Sequence, residues 1–138
     1  MIGENVRAPG RRQGGVVAAV LVVALVMLVA GAWCWVDPAS FAAATNWPEH
    51  EHFLHDAGAF QMGIGITLLG ALWWRDVLAV VLAGAVFTNA LHAVNHVVDG
   101  GLGGRATDPW AIALVALIAL AGLVVRVRAL RRIAADRS

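Results

Sequence analysis

Four apolar stretches, each about the length of a membrane span, constrain this chain more than any other feature of its sequence. They run from Val16 to Val36, Phe53 to Trp74, Val77 to Val98 and Trp110 to Val127. A helix of about 20 apolar residues crosses the hydrocarbon core of a bilayer. Because lipid offers a peptide group no hydrogen-bond partner, the four stretches predict an all-α bundle of four transmembrane helices and exclude an open sheet.

The composition agrees with a membrane protein. Hydrophobic residues make up 60% of the 138 residues and charged residues only 14%, which is too apolar for an ordinary soluble domain. A net charge of +1 gives no basic field for nucleic acid. The single cysteine, Cys34, excludes an internal disulfide and a CxxC motif. No nucleophile with an adjacent base is visible, so the sequence leaves enzyme activity undecided.

The arginines predict how the chain is oriented, because cytoplasmic flanks of membrane proteins collect basic residues. With four spans, one side of the membrane receives Arg7, Arg11, Arg12, Arg75, Arg126, Arg128, Arg131, Arg132 and Arg137. The other side receives Arg105 alone. We therefore predict one integral membrane domain over residues 1–138, with residues 1–15 and 128–138 as cytoplasmic tails.

The first apolar stretch also has features of a secretory signal. Arginines precede it, and Ala30-Gly31-Ala32 imitates a small-residue cleavage site. The stretch continues to Val36, however, beyond the roughly 7–15 residues usual for the apolar core of a signal. Its length favours a retained membrane anchor, and cleavage stays the alternative.

The second and third stretches are predicted to be antiparallel neighbours, because only Arg75 and Asp76 separate them. Each carries a stripe of residues spaced by three and four positions. The stripes are His52, Asp56, Ala59 and Gly63 in the second stretch, and Asn89, His92, His96 and Asp99 in the third. Folding the hairpin at a rise of about 1.5 Å per residue places Asp56 near His96 and Gly63 near Asn89. We expect an outward-facing polar site between these two helices.

One interpretation of this site is a bound metal or haem. The spacing of His92 and His96 puts two imidazoles on one helix face, and His55 and Asp56 would supply further ligands or supporting carboxylates. The supporting residues would be Asn89, Asp99 and His52. Histidine with carboxylate suits zinc, copper or iron, and two histidines on different helices would instead hold haem b.

Two other interpretations stay open. In the first, the polar network only fixes helix packing in a structural or accessory membrane subunit. In the second, the His/Asp cluster takes up protons between about pH 5 and 8. The lipid bilayer is the one partner that the sequence predicts, while a homo-oligomer or a larger membrane complex is left open.

Two segments carry a family resemblance. They are the run HDAGAFQMGIG from His55 to Gly65 and the run NALHAVNHVVD from Asn89 to Asp99. With them, the chain resembles small four-helix membrane proteins of actinobacteria, and it is more loosely similar in size and helix count to DoxX-like proteins. The resemblance implies a short integral protein of a bacterial plasma membrane, and it transfers no activity.

Overall fold

The computed structural model describes residues 11–74 and 77–136, and these residues form helices joined by short turns. The helices are α1 (Arg11–Val36), α2 (Pro38–Thr45), α3 (Glu51–Gly70), α4 (Leu78–Val98) and α5 (Asp108–Ala135). The all-α class is therefore confirmed, with one short helix, α2, that the sequence did not predict. Of the residues that carried the orientation and hairpin predictions, Arg7, Arg75, Asp76 and Arg137 lie outside the described residues.

Three of these helices are long and apolar enough to cross a membrane. They are Gly14–Val36 within α1, Leu78–Val98 and Asp108–Ala135. The fourth long helix, α3, has 20 residues but is not among them, because Glu51 and Asp56 and several histidines dilute its apolar character. The structure thus supports a membrane protein and confirms three of the four predicted spans by length and composition.

The long helices pack as two antiparallel pairs. α3 lies along α1, α4 lies along α5, and α1 and α5 join the two pairs. α3 and α4 make only a small contact, near the turn that connects them. The order of packing is therefore α3, α1, α5, α4. The first and last helices of this order, α3 and α4, are apart over most of their length.

Glycines bring α1 and α3 together. A Cβ placed on Gly31 would lie 2.7 Å from the carbonyl oxygen of Gly58, and a Cβ placed on Gly58 would lie 2.6 Å from the carbonyl oxygen of Gly31. Two turns further along α3, a Cβ on Gly65 would lie 2.6 Å from the Leu28 side chain. Small residues of this kind allow transmembrane helices to approach at backbone distance.

The core lies where the two pairs meet, toward the end of the bundle that holds the α3–α4 turn. Fully buried side chains there include Val20 and Val23 of α1, Leu68 of α3, Leu82 of α4 and Ala119 of α5. Gly122 of α5 lets this helix approach α1, since a Cβ on it would lie 2.9 Å from the Cβ of Ala19. Away from this cluster the long helices expose most of their apolar surface, as lipid-facing helices do.

The predicted packing of the second helix against the third is wrong in their outer halves. The α3 stripe of His52, Asp56, Ala59 and Gly63 is exposed, and a Cβ on Gly63 would meet nothing within 4 Å. The buried face of α3 is the opposite one, formed by Leu54, Gly58, Gly65 and Leu68. α3 turns this face toward α1 because Gly58 allows close contact with Gly31 and Gly65 leaves room for the Leu28 side chain.

Candidate functional site

The prediction for α4 is confirmed in part: its stripe faces the bundle as far as Asn89, but His92, which was expected to face inward, is exposed, and Ala93 beside it is buried. Leu78, Leu82, Ala85 and Asn89 are buried, and His96 continues the same face at the outer end of the helix. The Nε2 atoms of His92 and His96 lie 3.1 Å apart, with ring centroids separated by 4.9 Å. The structure therefore brings together two of the four predicted ligands, and both direct the same ring nitrogen to one point.

Asp108 backs this histidine pair from the start of α5. Its Oδ2 atom lies 3.9 Å from Nδ1 of His96, and both side chains are largely enclosed, at 23% and 14% exposure. The same oxygen accepts a hydrogen bond from the backbone N–H of Arg105, at 2.7 Å. The carboxylate is thus held in place on the side of His96 that faces away from His92.

Sequence reasoning missed Asp108, although a signal for it existed. Only a short loop separates the end of α4 from the start of α5, so the antiparallel pair must bring these two ends to one level. An acidic residue in the first turn of a helix is also favoured by the helix dipole. Applying the argument used for the preceding hairpin to this one would have placed Asp108 beside His96.

The two outer loops close over His96. The Trp47 ring lies against the His96 ring, with centroids 5.8 Å apart. Gly104 fits beneath them, since a Cβ on it would lie 3.2 Å from both Nδ1 of His96 and Oδ2 of Asp108. Its φ of +86° also favours glycine. A Cβ at this position would push on the His96–Asp108 pair by a few tenths of an ångström.

A pair of hydrogen bonds fastens one loop to the other. The backbone N–H of Gly104 donates to the carbonyl oxygen of Asn46 at 2.7 Å, and the side-chain amide of Asn46 donates to the carbonyl oxygen of Gly104 at 3.1 Å. Asn46 itself has a φ of +56°, at the left-handed end of α2. We call this pair, together with Gly103 packed on Pro48, the outer-loop clasp.

The remaining predicted ligands lie elsewhere. Asp56 pairs with His52 at 3.6 Å on the exposed face of α3, with side chains 59% and 85% exposed. His55 packs against the Trp35 ring of α1, with centroids 5.2 Å apart. The predicted ligand set of His92, His96, His55 and Asp56 therefore separates into a pair on α4 and two side chains that take part in different contacts on α3.

The predicted supporting residues have local roles. The side-chain amide of Asn89, which is 2% exposed, donates to the carbonyl oxygen of Ala85 one turn earlier, at 2.9 Å. Asp99 ends α4 and donates its backbone N–H to the carbonyl oxygen of Asn95. Asn89 thus satisfies its amide within its own helix and does not orient either histidine through this bond.

The chemistry open to the site follows from the two Nε2 atoms. The contact is a hydrogen bond when one Nε2 carries a proton and the other accepts it, and the tautomers of the two rings decide which one donates. Within residues 11–74 and 77–136, no three His, Cys, Asp or Glu side chains are grouped to hold a metal ion. A metal at this point would therefore have two protein ligands from the described residues and open positions for others.

Comparison with known proteins adds no relative. The chain matches no protein-family model, no curated protein and no solved structure. Its class follows from its own features: an all-helical protein with three helices long and apolar enough to cross a membrane, and a His92–His96–Asp108 cluster under two fastened loops.

Proposed function

We propose that this chain is a four-span protein of a bacterial plasma membrane that binds a transition-metal ion through His92 and His96 at its outer face. The observation that carries the metal proposal is the 3.1 Å separation of the two Nε2 atoms. Two nitrogens that each lie 2.0–2.1 Å from one metal ion are about 2.9 Å apart at a right angle and about 3.3 Å apart at a tetrahedral angle. The pair falls between these limits without rearrangement.

The surroundings of His96 support this proposal. A histidine ligand commonly directs its other ring N–H toward a carboxylate, which fixes the tautomer and strengthens the ligand. Asp108 lies on that side of His96, and the clasp and Trp47 hold the ring from two further directions. A site with two histidines and open positions suits zinc, copper or iron whose remaining ligands are water or an incoming molecule.

The same geometry favours an ion over haem. Two histidines that clamp a haem iron approach it from opposite faces of the ring. His92 and His96 lie one turn apart on the same helix face, and both Nε2 atoms converge on one side. We therefore expect a small ion here, with His55 and Asp56 outside its ligand set.

Metal analysis of the detergent-purified protein tests the proposal. We expect zinc, copper or iron to bind with a stoichiometry of one ion per chain, and His92→Ala with His96→Ala to abolish this binding. The matched control is His52→Ala with His55→Ala, which removes two other outer histidines and should leave binding unchanged. Asp108→Asn should weaken binding by about 10–100-fold, the effect typical of a residue that supports a ligand.

Two results would contradict the proposal that His92 and His96 bind a metal ion. If the folded wild-type protein binds no ion, or if both double variants lose it equally, the His92–His96 pair is an internal hydrogen bond that contributes to helix packing only. Circular dichroism on each variant separates loss of the ion from loss of the fold.

The four-span topology rests on how α3 packs. This helix is about 30 Å long at 1.5 Å per residue and lies along α1 from the Trp35–His55 contact to the Ala24–Gly65 contact. Its outward face exposes Phe60 at 74% and Ile66 at 64%. The contacts with α1 cover about 15 Å of α3, and a helix that packs along a membrane span in this way and turns large apolar groups outward is best accommodated in the same bilayer.

Four crossings put both termini on one side, and the arginine distribution makes that side cytoplasmic. In a Cys34→Ala background, Leu102→Cys in the outer loop should react with a membrane-impermeant thiol reagent in intact cells. Ala134→Cys near the end of α5 should react only after permeabilisation. Labelling of both in intact cells would show that α5 does not cross the membrane, and equal labelling of Glu49→Cys before α3 and Trp74→Cys after it would show that α3 does not.

A further inference from the structure

The cytoplasmic end of α5 carries a cationic surface that the proposed metal site does not use. Arg128, Arg131 and Arg132 are all exposed, and they lie within the last two turns of the helix. On the same turns, Leu130 is 38% exposed and Ile133 is 47% exposed. At 100° per residue these two side chains lie on the opposite side of the helix from the arginines, and we call the side with the three guanidinium groups the arginine face.

The length of α5 sets the depth of this face. The helix has 28 residues, or about 42 Å, against a hydrocarbon core of about 30 Å. If the indole of Trp110 marks the outer boundary, as aromatic residues do, about 20 residues bring the chain to residue 130 at the inner boundary. The three arginines therefore lie within about 3 Å of that boundary along the axis, at the level of the lipid headgroups.

The direction of the arginine face follows from the contacts of α5. Ala119 and Gly122 are buried against α1 and α4, and they define the inward side of the helix. Arg128, Arg131 and Arg132 are spaced by three and four residues, which puts them on one side of the helix. At 100° per residue that side lies away from Gly122, so the guanidinium groups point out of the bundle.

We propose that the arginine face binds the phosphate groups of anionic phospholipids in the inner leaflet. A guanidinium group pairs with phosphate through two parallel hydrogen bonds, and exposed arginines next to a membrane span are attracted by an anionic leaflet. The inference requires that α5 crosses the membrane and does not depend on metal at His92 and His96.

Native mass spectrometry of the detergent-purified protein tests this directly. The probes are phosphatidylglycerol and phosphatidylcholine with identical acyl chains, so that only the headgroup differs. We expect a preference for phosphatidylglycerol that falls by about 125-fold in Arg128→Gln/Arg131→Gln/Arg132→Gln, at about fivefold per arginine. The corresponding triple Lys variant should retain most of it, because the charge is kept. Arg105→Gln, at the other end of the α4–α5 pair, is the matched control and should have no effect.

Three outcomes would overturn the proposal. An unchanged lipid preference in the folded triple Gln variant would show that the arginines face something else, such as an acidic protein surface. Displacement of the lipid by excess inorganic phosphate would show a site for free phosphate. Equal binding of both lipids by the wild type would remove headgroup recognition altogether. The single variant Arg128→Gln, with its circular dichroism and elution profile, guards against a folding defect in the triple variant.

Discussion

The close crossing of α1 and α3 makes a sharp prediction about two glycines on the same helix. A Cβ added at Gly58 would lie 2.6 Å from the carbonyl oxygen of Gly31 and 3.0 Å from the Cβ of Cys34. A Cβ added at Gly63, less than two turns away, would meet nothing within 4 Å. We therefore predict that Gly58→Ala destabilises the protein and that Gly63→Ala does not.

The size of the effect follows from these distances. Ordinary van der Waals contact begins at 3.4 Å, so the helices must separate by about 0.8 Å, the difference between 3.4 and 2.6 Å, to admit the new methyl group. A gap of 0.5–1 Å forfeits about a quarter to a half of the dispersion energy along the contact. Overpacking of this kind costs about 1–3 kcal/mol, partly offset by the roughly 0.5–1 kcal/mol that alanine gains over glycine in a helix. At Gly63 only the gain applies.

Equilibrium unfolding in mixed detergent, followed by circular dichroism, measures both variants against the wild type. We expect Gly58→Ala to unfold at a lower denaturing-detergent fraction and Gly63→Ala to unfold at the wild-type fraction or slightly above it. The packing that the sequence predicts, with Gly63 facing Asn89 across α3 and α4, requires the reverse order. A larger cost at Gly63 than at Gly58 would therefore refute the α1–α3 pairing.

Two further predictions concern the outer loops. Gly103→Ala should open the clasp for two reasons. Alanine rarely adopts the φ of +150° that Gly103 has, and the new Cβ would lie 2.8 Å from Cδ of Pro48. Hydrogen exchange at the Gly104 amide should accelerate by one to two orders of magnitude, because the substitution destabilises the closed clasp by about 1–3 kcal/mol. The control Gly101→Ala, whose Cβ would meet nothing within 4 Å, should leave this exchange unchanged. At the start of α2, the backbone N–H of Ser40 and its hydroxyl hold the pKa of Asp37 below its usual value. Because the pKa of Asp37 is lower in the folded state than in the unfolded state, this cap stabilises the helix above about pH 4, and the stabilisation is lost as the pH falls through the lowered pKa. Hydrogen exchange at the Ser40 amide should show this acid dependence. Asp37→Asn should remove the dependence. A pKa of Asp37 at or above its usual value would contradict the cap.

The sequence predicted the buried face of α4 correctly as far as Asn89, because one face of that helix differs clearly from the others, and it was wrong for His92, which is exposed. Leu78, Leu82, Ala85 and Asn89 repeat at three and four residues, and the same spacing continues through the buried Ala93 to His96. Burying the apolar members of this stripe carries Asn89 inward as well, and its side-chain amide is satisfied by Ala85 of the same helix. The periodicity of one helix was therefore sufficient to identify its own inward face as far as Asn89.

The same reasoning was wrong for α3 because both faces of that helix carry small residues. Gly58 and Gly65 lie on one side, and Ala59 and Gly63 lie on the other. The expectation that ionisable groups face inward selected the side of Asp56. That expectation weakens toward the membrane surface, and Asp56 is only six positions from the start of α3, where an exposed pair with His52 is tolerated. The matching glycine that decides the packing, Gly31, is on a different helix and leaves no mark on the periodicity of α3.

The packing order also separates bundle stability from the integrity of the metal site. The histidine pair lies on α4, where Asp108 and Gly104 of the α4–α5 hairpin and Trp47 of the α2–α3 loop hold it, whereas the nearest atoms to a Cβ on Gly58 belong to α1. Mutations at distant sites without shared partners act independently. Gly58→Ala should therefore lower stability while the folded protein keeps its metal affinity, whereas opening the clasp at Gly103 should weaken metal binding with little change in the α1–α3 contact. If Gly58→Ala lowered metal affinity as much as Gly103→Ala, the histidine site would depend on the bundle as a whole, and the assignment of His96 to the α4–α5 hairpin and its loops would be wrong.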